Sequence, residues 1–149
     1  GDLTLIEQLP GDITFAVALV QRIMEAGLLA QVGVDAAGIG GLVDALAEIG
    51  VTQDADKLGA VRQGIALMGA IKTIERKLAD GTFRHGGSAM MSWCVGNAIV
   101  VPTPTAMRID RSVSGFGKID PLMALFNAAA LMAMNPSALQ QAEEEIVFV

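Results

Sequence analysis

The chain has 149 residues, 52% of them apolar, with a formal net charge of −6 and a single cysteine. This length suits one domain with a real core, and the composition excludes a disordered chain. One cysteine excludes an internal disulfide and a multi-cysteine zinc site, and fits a reducing, cytoplasmic setting. The acidic balance argues against a domain that grips nucleic acid through its global field. No apolar run reaches the roughly 18 residues of a membrane span.

Leu3 to Leu9 carries β-favouring residues and stops at Pro10-Gly11, a turn signal. The chain's start shows no leader and reads as mid-protein sequence. Asp12 is expected to cap a helix from Ile13 or Thr14 to Ala26, closed by Gly27. Gln31 to Asp35 predicts a short central strand, because its apolar run is near-continuous. After a tight loop at 36–41, Leu42, Ala45, Leu46 and Ile49 recur at helical spacing up to Gly50.

The stretch Val51 to Ala60 is ambiguous, with a further short strand around Lys57 to Val61 as one option. The longest helix follows, Ile65 to Asp80, with Leu67, Ile71, Ile74 and Leu78 as its buried stripe and Gly81 as its cap. Ala89 to Val95 fits a short helix or a strand. Ala98–Val101 and Ala106–Ile109 read as strands around Pro102-Thr103-Pro104. A loop at 112–117 leads to Asp120-Pro121, a helix start with Pro at the first helical position, and then to the apolar run Leu122–Met134. Residues 137–149 form an acidic-then-apolar tail: a docking segment, an added strand or a mobile end. The alternation indicates a mixed α/β layer fold.

Two acids stand out. Asp35 ends the apolar strand, where α/β sheets place their sites, and Asp120 opens the apolar helix. Carboxylates gathered in such a crevice hold Mg²⁺ or Mn²⁺, which take oxygen ligands. Two ions of this kind activate water and stabilise the leaving oxygen in phosphodiester hydrolysis. Each acid also serves as an ordinary cap. Arg84, Arg108, Arg111 and Lys118 form either a local basic strip or plain surface charge. Cys94 reads as a buried small hydrophobe. Gly38-Ile39-Gly40-Gly41 misses the Gly-x-Gly-x-x-Gly spacing, and no phosphate-binding Gly-x-x-x-x-Gly-Lys-Ser/Thr loop occurs. No Gly-x-Ser-x-Gly elbow occurs either, and His85-Gly86-Gly87 reads as a turn with an exposed histidine.

The ordered set Val34-Asp35, Gln63-Gly64, Leu78-Ala79-Asp80-Gly81, His85-Gly86-Gly87, Trp93 to Asn97 and Lys118-Ile119-Asp120-Pro121 resembles the C-terminal nuclease domain of tailed-phage terminase large subunits. The likeness runs from about Leu3 to Pro136. It implies a ribonuclease H-like α/β fold, a mixed sheet flanked by helices, missing its N-terminal strands. It also implies a metal-dependent endonuclease that cuts concatemeric double-stranded DNA during head packaging in the host cytoplasm. The partners it implies are DNA and, in a full protein, the ATPase motor, the portal and the small terminase subunit.

By the same resemblance Asp35 and Asp120 are the metal ligands for Mg²⁺ or Mn²⁺. Lys118 is the electrostatic helper, and His85 and Asn97 have supporting roles. The chain departs from the family in two places. Ser88-Ala89 stands where the family has Asn-Pro, and the family's first catalytic Asp lies on a strand that precedes this sequence, for which neither Asp2 nor Asp12 substitutes. The expectation is a partial nuclease domain at 1–136 and a tail at 137–149, with weak or no cleavage. An exposed sheet edge would favour a homodimer. Two rivals are a non-catalytic docking module and a small hydrolase using Ser88 or Ser92 with His85.

Overall fold

A computed structural model describes residues 3–35, 39–62, 64–102, 104, 107–111, 117–134 and 136. Asp2, Gln63, Ala106 and residues 36–38, 112–116 and 137–149, on which parts of the expected loops and tail fall, lie outside these residues. The elements run α1 (Gly11–Glu25), β1 (Val32–Val34), α2 (Gly40–Glu48), β2 (Leu58–Ala60), α3 (Ile65–Ala79), α4 (Ala89–Asn97), β3 (Ala98–Pro102), β4 (Met107–Arg111) and α5 (Asp120–Met132).

β1 and β2 pair in parallel, with Val32 opposite Leu58, Gly33 opposite Gly59 and Val34 opposite Ala60. A parallel pair needs a crossover, and α2 supplies it. β3 and β4 form an antiparallel hairpin in which Val100 faces Ile109. The fold is mixed α/β, as expected. Among the described residues, however, the strands make two separate pairs rather than one continuous mixed sheet.

Two apolar clusters hold these pieces. In the first, Leu29, Val34, Leu46, Val51 and Leu58 are buried beneath Val17, Val20 and Met24 of α1 and Leu42 and Val43 of α2. In the second, Val61, Leu67, Ile74, Cys94, Leu122, Phe126 and Leu131 join α3, α4 and α5. Cys94 is fully buried there, as its sequence setting implied. No helix among the described residues is long and apolar enough to cross a membrane.

Several local expectations are corrected. Leu3 to Leu9 forms no strand, and Leu3, Leu5 and Leu9 are 66%, 81% and 83% exposed. A strand needs a ladder partner, and β propensity alone does not supply one. α1 starts at Gly11 with Pro10 in the cap position. Asp12 therefore sits inside the first turn, where its charge still meets the helix's positive end.

Likewise Ile119 is the cap of α5, and Asp120 and Pro121 are its first two residues. Residues 89–97 are helical, because Ser88 accepts a hydrogen bond from the Met91 amide at 3.4 Å and caps the turn. Leu78 is 50% exposed, so packing on α3 stops one turn before the helix does.

Candidate metal-binding region on α5

α5 is built to be buried on one side. Leu122 and Phe126 share one face of the helix, while Asn127 and Leu131 lie about 140° and 180° round from Leu122, so α5 buries roughly half its circumference. Its far end meets the parallel pair. A Cβ added at Gly33 would stand 2.7 Å from Leu131 Cδ1, and one at Gly59 would stand 3.3 Å from Leu131 Cδ2. Gly33 and Gly59 are directly opposed across the β1–β2 ladder. Leu131 thus occupies a notch made by two glycines, and side chains there would push the helix off the strands.

The near end of α5 is held differently. Asn97, the last residue of α4, donates its side-chain N–H to the Lys118 carbonyl at 3.2 Å. Gly117 lies against the same side chain, so close that an added Cβ would fall 2.6 Å from Asn97 Cγ. Asn97 and Gly117 together form a latch on the strap that delivers Lys118 and Asp120 to the start of α5. Glycine is the residue that permits this approach.

The expected site residues are placed as follows. Asp35 is exposed, one residue beyond β1. Asp120 is exposed in the first turn of α5, and Lys118, two residues before it, is exposed too. The structure brings Asn97, Gly117 and Lys118 together, and it seats α5 on the strand that leads to Asp35. From the notch, Asp35 is two residues along a strand, about 7 Å, and Asp120 is eleven residues back along α5, about 16 Å.

His85 stands outside the latch. Its Nδ1 accepts from the Gly87 amide at 3.2 Å, and its ring stacks on Phe83 with centroids 6.1 Å apart. Among the described residues no three of His, Cys, Asp and Glu gather where they could hold a metal ion.

The carboxyl ends of β1 and β2 open on a cleft of about 380 Å³, lined by Val34, Ile39, Gly40, Val43, Asp44, Gln53, Leu58 and Ala60. This is the location where parallel pairs place ligands, and Asp35 follows its Val34 wall. The four basic residues, Arg84, Arg108, Arg111 and Lys118, are all exposed, and Arg108 is paired with Asp110 at 3.0 Å. The serines of the hydrolase reading are occupied locally: Ser88 caps α4, and the Ser92 hydroxyl donates to the Ser88 carbonyl at 3.2 Å. His85 bonds to neither of them.

Sequence reasoning named Asn97 without a role and overlooked Gly117, Gly33 and Gly59. A glycine two residues from a strand-end acid was a signal of close approach, but its partner Leu131 lies 98 positions away.

No protein-family model and no curated protein matches the sequence. Among solved structures, the chain is similar to the crystal structure of the HK97 bacteriophage large terminase, with a TM-score of 0.63 and 24% identity over 80% of this chain and 25% of that one. The chain therefore spans about a quarter of the length of that protein. At this level of similarity the shared property is architecture: the chain has a terminase-like α/β fold.

Proposed function

We propose that the chain is a terminase-derived, ribonuclease H-like nuclease domain. Its ancestral reaction is metal-dependent hydrolysis of double-stranded DNA, in the host cytoplasm, as part of a packaging protein. The observation that carries this reading is the seating of α5 on β1 by Leu131 in its glycine notch. Through it the two elements that bear Asp35 and Asp120 belong to one packed unit. In this reading Asp35 and Asp120 hold Mg²⁺ or Mn²⁺, and Lys118, two residues before Asp120, is a counter-charge for phosphate. Asn97 sets the strap that carries Lys118 and Asp120. A bound ion would supply an activated water and charge neutralisation at the leaving oxygen.

The test is Mn²⁺ binding, by calorimetry or anomalous scattering, to the chain and to Asp120→Ala and Asp35→Ala. Binding weakened by each substitution supports the reading. Binding unaffected by both rejects these ligands. Cleavage is expected to be weak or absent, and strong Mn²⁺-dependent cleavage lost in Asp120→Ala would show a complete site.

A second reading, a non-catalytic docking module, is favoured by one feature of α1. Phe15, Leu19 and Ile23 recur every four residues along one face and are exposed, and α1 has no buried residue at all. An apolar face of this kind marks an interaction surface.

A further inference from the structure

The charge of the chain is unevenly placed. Seven of its ten lysines and arginines fall between positions 72 and 118, where only three acids occur, whereas positions 1–62 hold nine acids and three bases. The densest part of the positive half is the outer face of α3. Lys72, Arg76 and Lys77 are exposed there and line a cleft of about 380 Å³ with Thr73, Asp80 and Thr82.

Lys72, Arg76 and Lys77 form no ion pair among the described residues, although Arg76 and Lys77 lie near enough to Asp80 to favour its charged form. Among the described residues the ion pair is Arg108 with Asp110, on another element. Asp80, the acid within the cleft, is turned to its own loop, where its carboxylate accepts the Thr82 amide at 2.9 Å and the Thr82 hydroxyl at 2.5 Å. Glu75 projects from the flank of α3 on the far side of Lys72 from Arg76, by helical periodicity, and does not line the cleft.

We propose that this face of α3 is a docking surface for the phosphate backbone of duplex DNA, separate from the α5 region. Lys72 and Arg76 are one turn apart, about 6 Å along the axis, with Lys77 beside them. Such a spread meets a row of charges better than a single small anion. No aromatic side chain lines the cleft to stack on a base, so binding is expected to be independent of base sequence. Locally concentrated cations let an acidic protein hold DNA despite its net charge, because the screening length at physiological salt is about 8 Å. The inference rests on the proposed function only for the choice of DNA among polyanions.

The test is binding of a short labelled DNA duplex to the full chain in EDTA, by fluorescence anisotropy between 50 and 200 mM salt. EDTA removes metal chemistry, so a failed nuclease reading leaves the result intact. The triple variant Lys72→Ala, Arg76→Ala, Lys77→Ala is expected to bind at least tenfold more weakly at the low-salt end. Its dependence of log K on log salt should be shallower by about 2.7, at roughly 0.9 for each phosphate it no longer neutralises. Arg22→Ala, a charge loss on α1, should stay within twofold.

Should the triple variant fail to fold by circular dichroism, Arg76→Ala alone decides, with a slope shallower by about 0.9. Absence of wild-type binding at 50 mM salt, or variants that bind as the wild type does, would overturn the proposal. Equal or tighter binding to anionic phospholipid vesicles through the same three residues would overturn the assignment to DNA.

Discussion

At the scale of single residues, the most constrained position in the candidate region is Gly117. Its replacement by alanine places a methyl group too close to Asn97, and the amide must turn away from the Lys118 carbonyl. Gly117→Ala is expected to cost about 1–3 kcal/mol, the range for overpacking, read as a lowered denaturation midpoint at constant m-value. Asn97→Asp should also weaken the latch, because a carboxylate accepts but cannot donate to a carbonyl. In the metal reading both changes should weaken Mn²⁺ binding without touching a ligand.

Asp80 gives a pH-dependent prediction at the same scale. Hydrogen bonds from the Thr82 hydroxyl and amide, helped by the nearby charges of Lys77 and Arg76, hold its carboxyl below the usual carboxylate range. A group whose folded pKa is depressed contributes stability above its unfolded value and loses it as pH falls through the folded one. The contribution of Asp80 should therefore be complete at neutral pH and vanish in the acid range below about 4. In Asp80→Ala that part of the acid limb should flatten, which melting temperatures measured across roughly pH 2–6 would reveal.

At the scale of elements, α5 illustrates which parts of the fold were legible in the sequence. Its start at Asp120-Pro121 and its apolar run were readable from local chemistry, as were α3, both members of the hairpin and the strand before Asp35. What escaped was whatever needs a partner distant in sequence. Leu3 to Leu9 has the residues of a strand but pairs with no strand among the described residues. Leu78 has the period of a core residue but lies where the packing has ended. The glycines at 33 and 59 revealed flexibility but not that a leucine fills the space between them.

Leu131→Ala should cost about 2–5 kcal/mol as a buried large-to-small change. Gly33→Ala should cost about 1–3 kcal/mol by overpacking. The two residues touch, so their effects should be non-additive: Leu131→Ala makes room for the Gly33→Ala methyl group. A double-mutant cycle in urea measures this directly, and strict additivity would mean that the notch does not exist.

At the scale of the whole molecule, the chain presents three different surfaces. One face of α1 is apolar, the outer face of α3 is basic, and the first 62 residues are strongly acidic. The α1 face separates the two functional readings. Phe15→Lys with Leu19→Lys alters exposed positions, so each should shift stability within about 0.5 kcal/mol. If the face is a docking surface between copies, the pair should abolish self-association seen in sedimentation equilibrium. A wild-type chain that is monomeric at all concentrations would remove the homodimer from consideration. Among the described residues each strand pairs on one side only, so open edges remain as a second route to association.

The two anchorages of α5 have a joint mechanical meaning. A helix pinned at one end by the Asn97 latch and at the other by the glycine notch behaves as a strut of fixed length. It can tilt about either pin but cannot shorten to absorb a displacement. An extra methyl group at Gly59, remote in sequence from every candidate ligand, would lift the far end and swing the near one, so its effect would surface at Asp120. Two glycines that lie in neither the latch nor the acid-bearing turn thus govern where that turn is held.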